Sequence, residues 1–405
     1  MLALDRSNDL TMTSSTNMGL SPRRLGNIGV TLLNTGDMTM SDILRYAQYA
    51  EQLGYEGFWA TEGDGKDPFA LLSLAAYGTR HISLGTSIVS FYSRTPTLLA
   101  IGASTLYRMS GGRFKHFGIG TGGVYFTERG HGVKIDQPVV RARETIEIIR
   151  GLLTSPKVGE QQRQVDARPI DVTQNSFAHH RFSYGGALFQ LHGFRLMEGP
   201  LEGPLPIYVS AIGPKMVALA ARYADGIVTN GLTEEAYERY RALIQEEEQK
   251  TGSKSRMPQL FTLLMMGVES SEATEAVRRA LTFFFASAHY YPIMEASGYA
   301  TEARQIQQCW RSGDFAAAGR LVTDAMVEKF AAMGSPAQRR QKLQWMMERG
   351  IYPILYPVWR PGHTVDDYFE IIHQAASYLT AENVGSVASQ SLLEKRVSDT
   401  DVSVL

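Results

Sequence analysis

One cysteine, Cys309, is present in 405 residues. That excludes an intramolecular disulfide framework and fits a reducing compartment, so the expected location is the cytoplasm. Charge of one sign is also missing: 40 Lys and Arg stand against 41 Asp and Glu. Such a balance provides no field for nucleic acid or an anionic membrane surface, and neither is an expected partner. No apolar run approaches the roughly 18 residues of a membrane helix. The first 24 residues are polar and hold no signal-peptide core, so 1–24 reads as an arm and 385–405 as a polar tail. Histidine is scarce, at nine residues, and nowhere clusters with Cys and carboxylates. A metal centre or a Ser-His-Asp triad is therefore not expected.

What is present is a regular beat. Short apolar β-branched runs at 26–33, 57–62, 81–90, 113–120, 206–211, 224–229, 259–268 and 351–359 read as buried strands. Amphipathic helices separate them, with start signals at Thr39, Asp67-Pro68 and Ser335-Pro336. Helix after helix follows strand after strand, and the expected fold is α/β, a single (β/α)₈ TIM barrel over 25–384. An open doubly wound sheet would need a glycine-rich turn after its first strand, and LLNTGDMTM has one glycine. Two stretches break the rhythm. Residues 154–205 carry Gly185-Gly186, which reads as a two-stranded hairpin, and 289–334 reads as mostly helical. Both are expected after barrel strands, over the mouth. The helix beginning SEATEAV is expected to be the seventh barrel helix.

In a barrel the chemistry belongs at the C-terminal strand ends. There the sequence offers Glu62, Ser87-Ile88, Gly120-Thr121-Gly122-Gly123, Ser210-Ala211-Ile212-Gly213-Pro214 and Thr229. Backbone-lined turns with few ionisable side chains suggest that a bound cofactor carries the reactivity. Pro214 at a helix start, with Gly213 before it, leaves N–H groups and a helix dipole facing outward, an arrangement that favours a phosphate. Gly120 to Gly123 can add further N–H groups and a hydroxyl to the same anion.

GTSIVS (85–90), FGIGTGG (117–123), PIYVSAIGPKMVALAARYADGIV (206–228) and GIYPILYPVWRPGH (350–363) resemble the luciferase-like flavin or deazaflavin superfamily. The IGPK turn is most similar to the branch that uses coenzyme F-420, typified by methylenetetrahydromethanopterin reductases. The resemblance implies a cis peptide at Ser87–Ile88 behind the cofactor ring, and a phosphate held by Thr121, Gly122, Ile212, Gly213 and Pro214. Ser87, Ile88, Gly120, Ser210, Ala211 and Thr229 complete the expected cofactor site. It also implies hydride transfer between the deazaflavin and a small organic substrate, and, by analogy, a homodimer. Glu62 falls where the family keeps an acid, but the family's following histidine is Gly63 here. Glu62 and His131 are therefore the candidate catalytic residues, with Tyr125 beside them. The sugar-phosphate dehydrogenases of this branch carry Glu after the GTG turn and Lys after the sixth strand. Gly123 and Asn230-Gly231 stand there instead, which argues against glucose 6-phosphate. The alternatives are an FMN-dependent monooxygenase supplied by a separate flavin reductase, and a non-catalytic flavin-binding relative.

Overall fold

The structure is a computed structural model that describes residues 24–32, 38–154, 181–252, 257–358 and 364–380. Residues 1–23 of the expected arm 1–24, the expected tail 385–405 and residues 359–363 lie outside them. Ten strands occur in chain order: β1 Gly29–Leu32, β2 Gly57–Ala60, β3 Ser83–Ser90, β4 Phe114–Gly120, β5 Phe182–Gly185, β6 Gln190–Phe194, β7 Ile207–Ser210, β8 Gly226–Asn230, β9 Gln259–Met266 and β10 Ile351–Pro357. Eight of them close into a parallel barrel, β1-β10-β9-β8-β7-β4-β3-β2, and β5 and β6 form a separate antiparallel pair.

The helices are α1 Met40–Gln52, α2 Pro68–Gly78, α3 Pro96–Met109, α4 Pro138–Leu153, α5 Pro214–Tyr223, α6 Glu234–Thr251, α7 Ser271–Phe285, α8 Tyr291–Ala296, α9 Ala300–Arg311, α10 Phe315–Arg320, α11 Asp324–Phe330, α12 Pro336–Glu348 and α13, 365–380. Their starts follow the cap chemistry. Thr39 and Ser335 each complete a capping box, and Asp67 accepts from the Ala70 N–H ahead of Pro68. The barrel lumen is filled by Trp59, Tyr208, Val228, Phe261, Leu263, Tyr352 and Ile354. Trp59 fits because Gly29, Gly57 and Gly85 present no side chain: a Cβ at any of them would fall within 2.5–2.8 Å of an indole atom or the Tyr352 hydroxyl. Those contacts make the lumen a packed core rather than a pore.

The two insertions enter at different places. The β5–β6 hairpin, with Gly185-Gly186 at its turn as expected, leaves from the end of α4 rather than from a strand. It runs back along α4, where fully buried Glu144 accepts the N–H groups of Ala187, Leu188 and Phe189 at 2.7, 3.0 and 3.1 Å. The tip thereby reaches Arg141, whose guanidinium lies over both Phe189 and Tyr92.

The second insertion is larger than its expected 289–334. After β9 the chain runs through α7 to α11 and returns at Ala332, which pairs with Met266 and donates to the Met265 carbonyl at 2.8 Å. Only then does α12 descend to β10. Buried Arg339 of α12 fixes this return through the Gly267 carbonyl at 2.6 Å and that of Gly334 at 2.9 Å. The barrel helix between β9 and β10 is thus α12, whereas α7, expected in that place, packs with α9, α10 and α11. The excursion therefore begins at the C-terminal end of a barrel strand, on the mouth side.

Candidate functional site

Three of the expected residues meet at the mouth between β3, β4 and β7. The Ser87–Ile88 peptide is cis, and the Ile88 side chain packs on the lumen cluster. A Cβ at Gly120 would stand 2.8 Å from Ser210 Cβ and 2.9 and 3.0 Å from Ile88 carbons. Glycine is required there because the Ile88 and Ser210 side chains already occupy the space, and the three residues form one wall.

The two glycine turns flank that wall. Gly122 has φ +74°, the left-handed region that favours glycine. On the β7 side, Gly213 is the N-cap of α5 with no side-chain cap, and a Cβ there would meet nothing within 4 Å. In the first turn of α5, Pro214 brings no N–H and the Met216 N–H returns to the Gly213 carbonyl at 3.1 Å, so the Lys215 N–H is left without an acceptor among the described residues; no carboxylate occurs in 210–216 or 119–126. Ile212 is half-buried in this turn. Ala211 and Thr229, by contrast, are buried one layer back. Their polar atoms are engaged by Tyr240, whose hydroxyl donates to the Ala211 carbonyl at 3.0 Å and lies 3.3 Å from Thr229 Oγ1. Their place is support for the α5 turn rather than its lining.

Glu62 extends from the loop after β2 and meets only donors. It accepts from the Ser90 N–H at 2.6 Å, the Ser93 hydroxyl at 2.9 Å and Arg94 Nε at 3.2 Å. Arg94 is also paired with Asp67 and lies over the Phe69 ring. Burial would lower the Arg94 pKa, but Asp67 and Glu62 together raise it, while Arg94 lowers that of Asp67 against the effect of burial. A carboxylate enclosed by three donors anchors the loop after β3.

His131 is exposed just beyond a π-helical turn, Tyr125–Gly130, with its N–H on the Phe126 carbonyl. Tyr125 is 54% exposed and touches Phe283 of α7 at 6.3 Å between ring centroids. The loop after β4 thus reaches the excursion from β9, although β7 and β8 stand between these strands in the barrel order. Below this contact Asn230 donates to the Tyr290 hydroxyl at 3.1 Å, and burial pushes Tyr290 up to about 12. Arg94, Thr127 and Tyr290 carry no signal in the sequence, whereas Ser90 ends the strand run at 81–90.

Among the described residues, no group of three or more His, Cys, Asp or Glu could hold a metal ion. Nor is any helix there long and apolar enough to cross a membrane.

The model of the family described as luciferase-like monooxygenase matches residues 23–352. A 5,10-methylenetetrahydromethanopterin reductase from Archaeoglobus fulgidus is 26% identical over 327 residues, covering 79% of this chain and 90% of that protein. A putative coenzyme F420-dependent oxidoreductase from Mycobacterium tuberculosis is 26% identical over 309 residues, covering 73% and 85%. Among solved structures, a coenzyme F420-dependent tetrahydromethanopterin reductase from Methanopyrus kandleri superposes with a TM-score of 0.64 at 22% identity. That match covers 85% of this chain and 96% of the other.

Proposed function

The chain belongs to the luciferase-like monooxygenase family, and on that premise we propose that it transfers a hydride between a deazaflavin coenzyme and a small organic substrate. The observation that carries this reading is the pair of carboxylate-free turns, 120–123 and 211–214, on either side of the Ile88–Gly120–Ser210 wall. F420-dependent relatives support the choice of deazaflavin.

The residues present fit such a group. Thr121, Gly122, Ile212 and Gly213 would hold its phosphate with backbone N–H groups and a hydroxyl, and Pro214, which has no N–H, would set the first turn of α5 whose dipole faces it. Ser87, Ile88, Gly120 and Ser210 would back its ring. When bound, a deazaflavin supplies the hydride chemistry; the chain contributes orientation, exclusion of water by the α7–α11 excursion, and a proton carrier. Glu62, locked by Ser90, Ser93 and Arg94, holds the β3 loop in place for that task. His131, on the loop that bears Thr121 and Gly122, is the proposed proton carrier.

The test is anaerobic incubation with reduced F-420 and a panel of ketones, imines and enoates, following loss of the reduced coenzyme. Turnover without oxygen is the expected result. Turnover only with oxygen and reduced FMN would assign the chain to the monooxygenase reading instead.

A further inference from the structure

Ser90 and Thr127 contact none of the open space at the mouth, yet both aim at one atom in the phosphate turn. Both are buried, at 4% and 1% exposure. Ser90 Oγ donates to the Thr121 carbonyl at 3.1 Å, and Thr127 Oγ1 donates to the same carbonyl at 3.0 Å. Ser90 is itself fixed, by its N–H on Glu62 and by its Oγ, which accepts the Tyr92 N–H at 3.1 Å. Thr127 is held by its N–H on the Gly123 carbonyl at 2.9 Å.

In a trans peptide the C=O and the following N–H point in opposite directions. With the Thr121 carbonyl drawn inward by two hydroxyls, the Gly122 N–H faces the other way, and among the described residues it has no hydrogen-bond acceptor. A Cβ at Gly122 would fall 2.7 Å from Thr127 Oγ1, so the turn takes glycine where the Thr127 hydroxyl reaches the Thr121 carbonyl.

We propose that Ser90 and Thr127 are positioning residues that set the chain's affinity for a phosphate-bearing cofactor by orienting the Thr121–Gly122 peptide. This rests on the reading of residues 120–123 as half of the phosphate site. The pins act on the phosphate end alone, so their loss weakens a phosphate-bearing ligand and spares the same ring system without phosphate. They also link Glu62 to the site: the chain of contacts runs Arg94, Glu62, Ser90, Thr121.

The experiment measures dissociation constants by quenching of intrinsic tryptophan fluorescence, for FMN against riboflavin and for F-420 against its phosphate-free deazaflavin. The proteins are the parent, Thr127→Val, Thr127→Ser and Ser90→Ala, each with its thermal unfolding recorded. Thr127→Val keeps the buried volume and removes the hydroxyl, so it separates the hydrogen bond from packing. The expected result is a parent that prefers the phosphate-bearing member of each pair. In Thr127→Val and Ser90→Ala that preference shrinks by roughly 3–10-fold, the value of one hydrogen bond, with phosphate-free affinity unchanged. Thr127→Ser restores it. Variants that keep the parent's preference overturn the inference while leaving the phosphate site standing, as do variants that lose both ligands equally. A parent that binds both members of each pair alike overturns the phosphate reading and the inference together.

Discussion

Gly213 and Gly120 are small for opposite reasons, and substitution separates them. A side chain at Gly213 meets open space, so Gly213→Asp leaves the fold intact while placing a carboxylate where an anion belongs. The expected outcome is an unfolding temperature close to the parent's, with no measurable quenching by FMN or F-420. Gly120→Ala adds a methyl within 2.8–3.0 Å of Ser210 and Ile88. It should weaken phosphate-free riboflavin as much as FMN, because it moves the ring wall rather than the anion site. Glu62→Gln removes charge from a carboxylate that accepts from three donors. Urea denaturation should show a loss of roughly 1–3 kcal/mol, as for hydrogen bonds to a charged group. These partners of Glu62 are hidden in the sequence. A strand-end position marks the carboxylate, whereas Arg94, 32 residues away in sequence, becomes its neighbour only when β2 and β3 pair.

At the scale of elements, the β-branched runs and cap residues read correctly because burial on both faces of a parallel barrel leaves an uninterrupted apolar signal. The seventh helix did not. Both α7 and α12 begin with a serine cap and bury apolar residues, so periodicity could not say which one lies between β9 and β10. The β9–Ala332 pairing decides it. A second tertiary feature hidden from the sequence joins β2, β4 and β10. Glu56, just ahead of β2, accepts from the Tyr352 hydroxyl at 2.5 Å and lies 3.4 Å from His116 Nε2. Burial would raise its pKa, but His116, Tyr352 and Ser83 together hold it down at about 2, against an ordinary 4.5. A depressed carboxylate stabilises the fold above about 4.5, and that stabilisation is lost as pH falls towards about 2. It amounts to on the order of 2–3 kcal/mol. Parent protein should therefore show a steep fall in urea midpoint between pH 4.5 and 2, and Glu56→Gln a shallower one with a lower plateau at pH 7. Parallel pH profiles for the two would remove Glu56 from the account.

For the molecule as a whole, a closed barrel puts eight strand ends around one mouth, and each turn there has its place set by the order of the strands. β4 and β7 are neighbours in the barrel though nearly 90 residues apart in sequence, so the 120–123 and 211–214 turns leave from the ends of adjacent strands. The sequence showed both turns and their glycines; it could not show that Thr229 and Ala211 lie behind Tyr240, because that depends on the packing of α6 against α5. The α7–α11 excursion and the hairpin tip at Arg141 carry no code for a ligand in their residue pattern, and where each is held emerges only from the return at Ala332 and the anchor at Glu144. On the proposed function this mouth holds a phosphate-bearing deazaflavin. The most direct measurement of that is an anaerobic titration of the ligand-free parent and of Gly213→Asp with F-420 and with FMN, read by tryptophan quenching. Saturable binding of F-420 to the parent, tighter than FMN and abolished in Gly213→Asp, is the predicted result. F-420 binding of equal affinity in both proteins, or no binding to a folded parent, would contradict it.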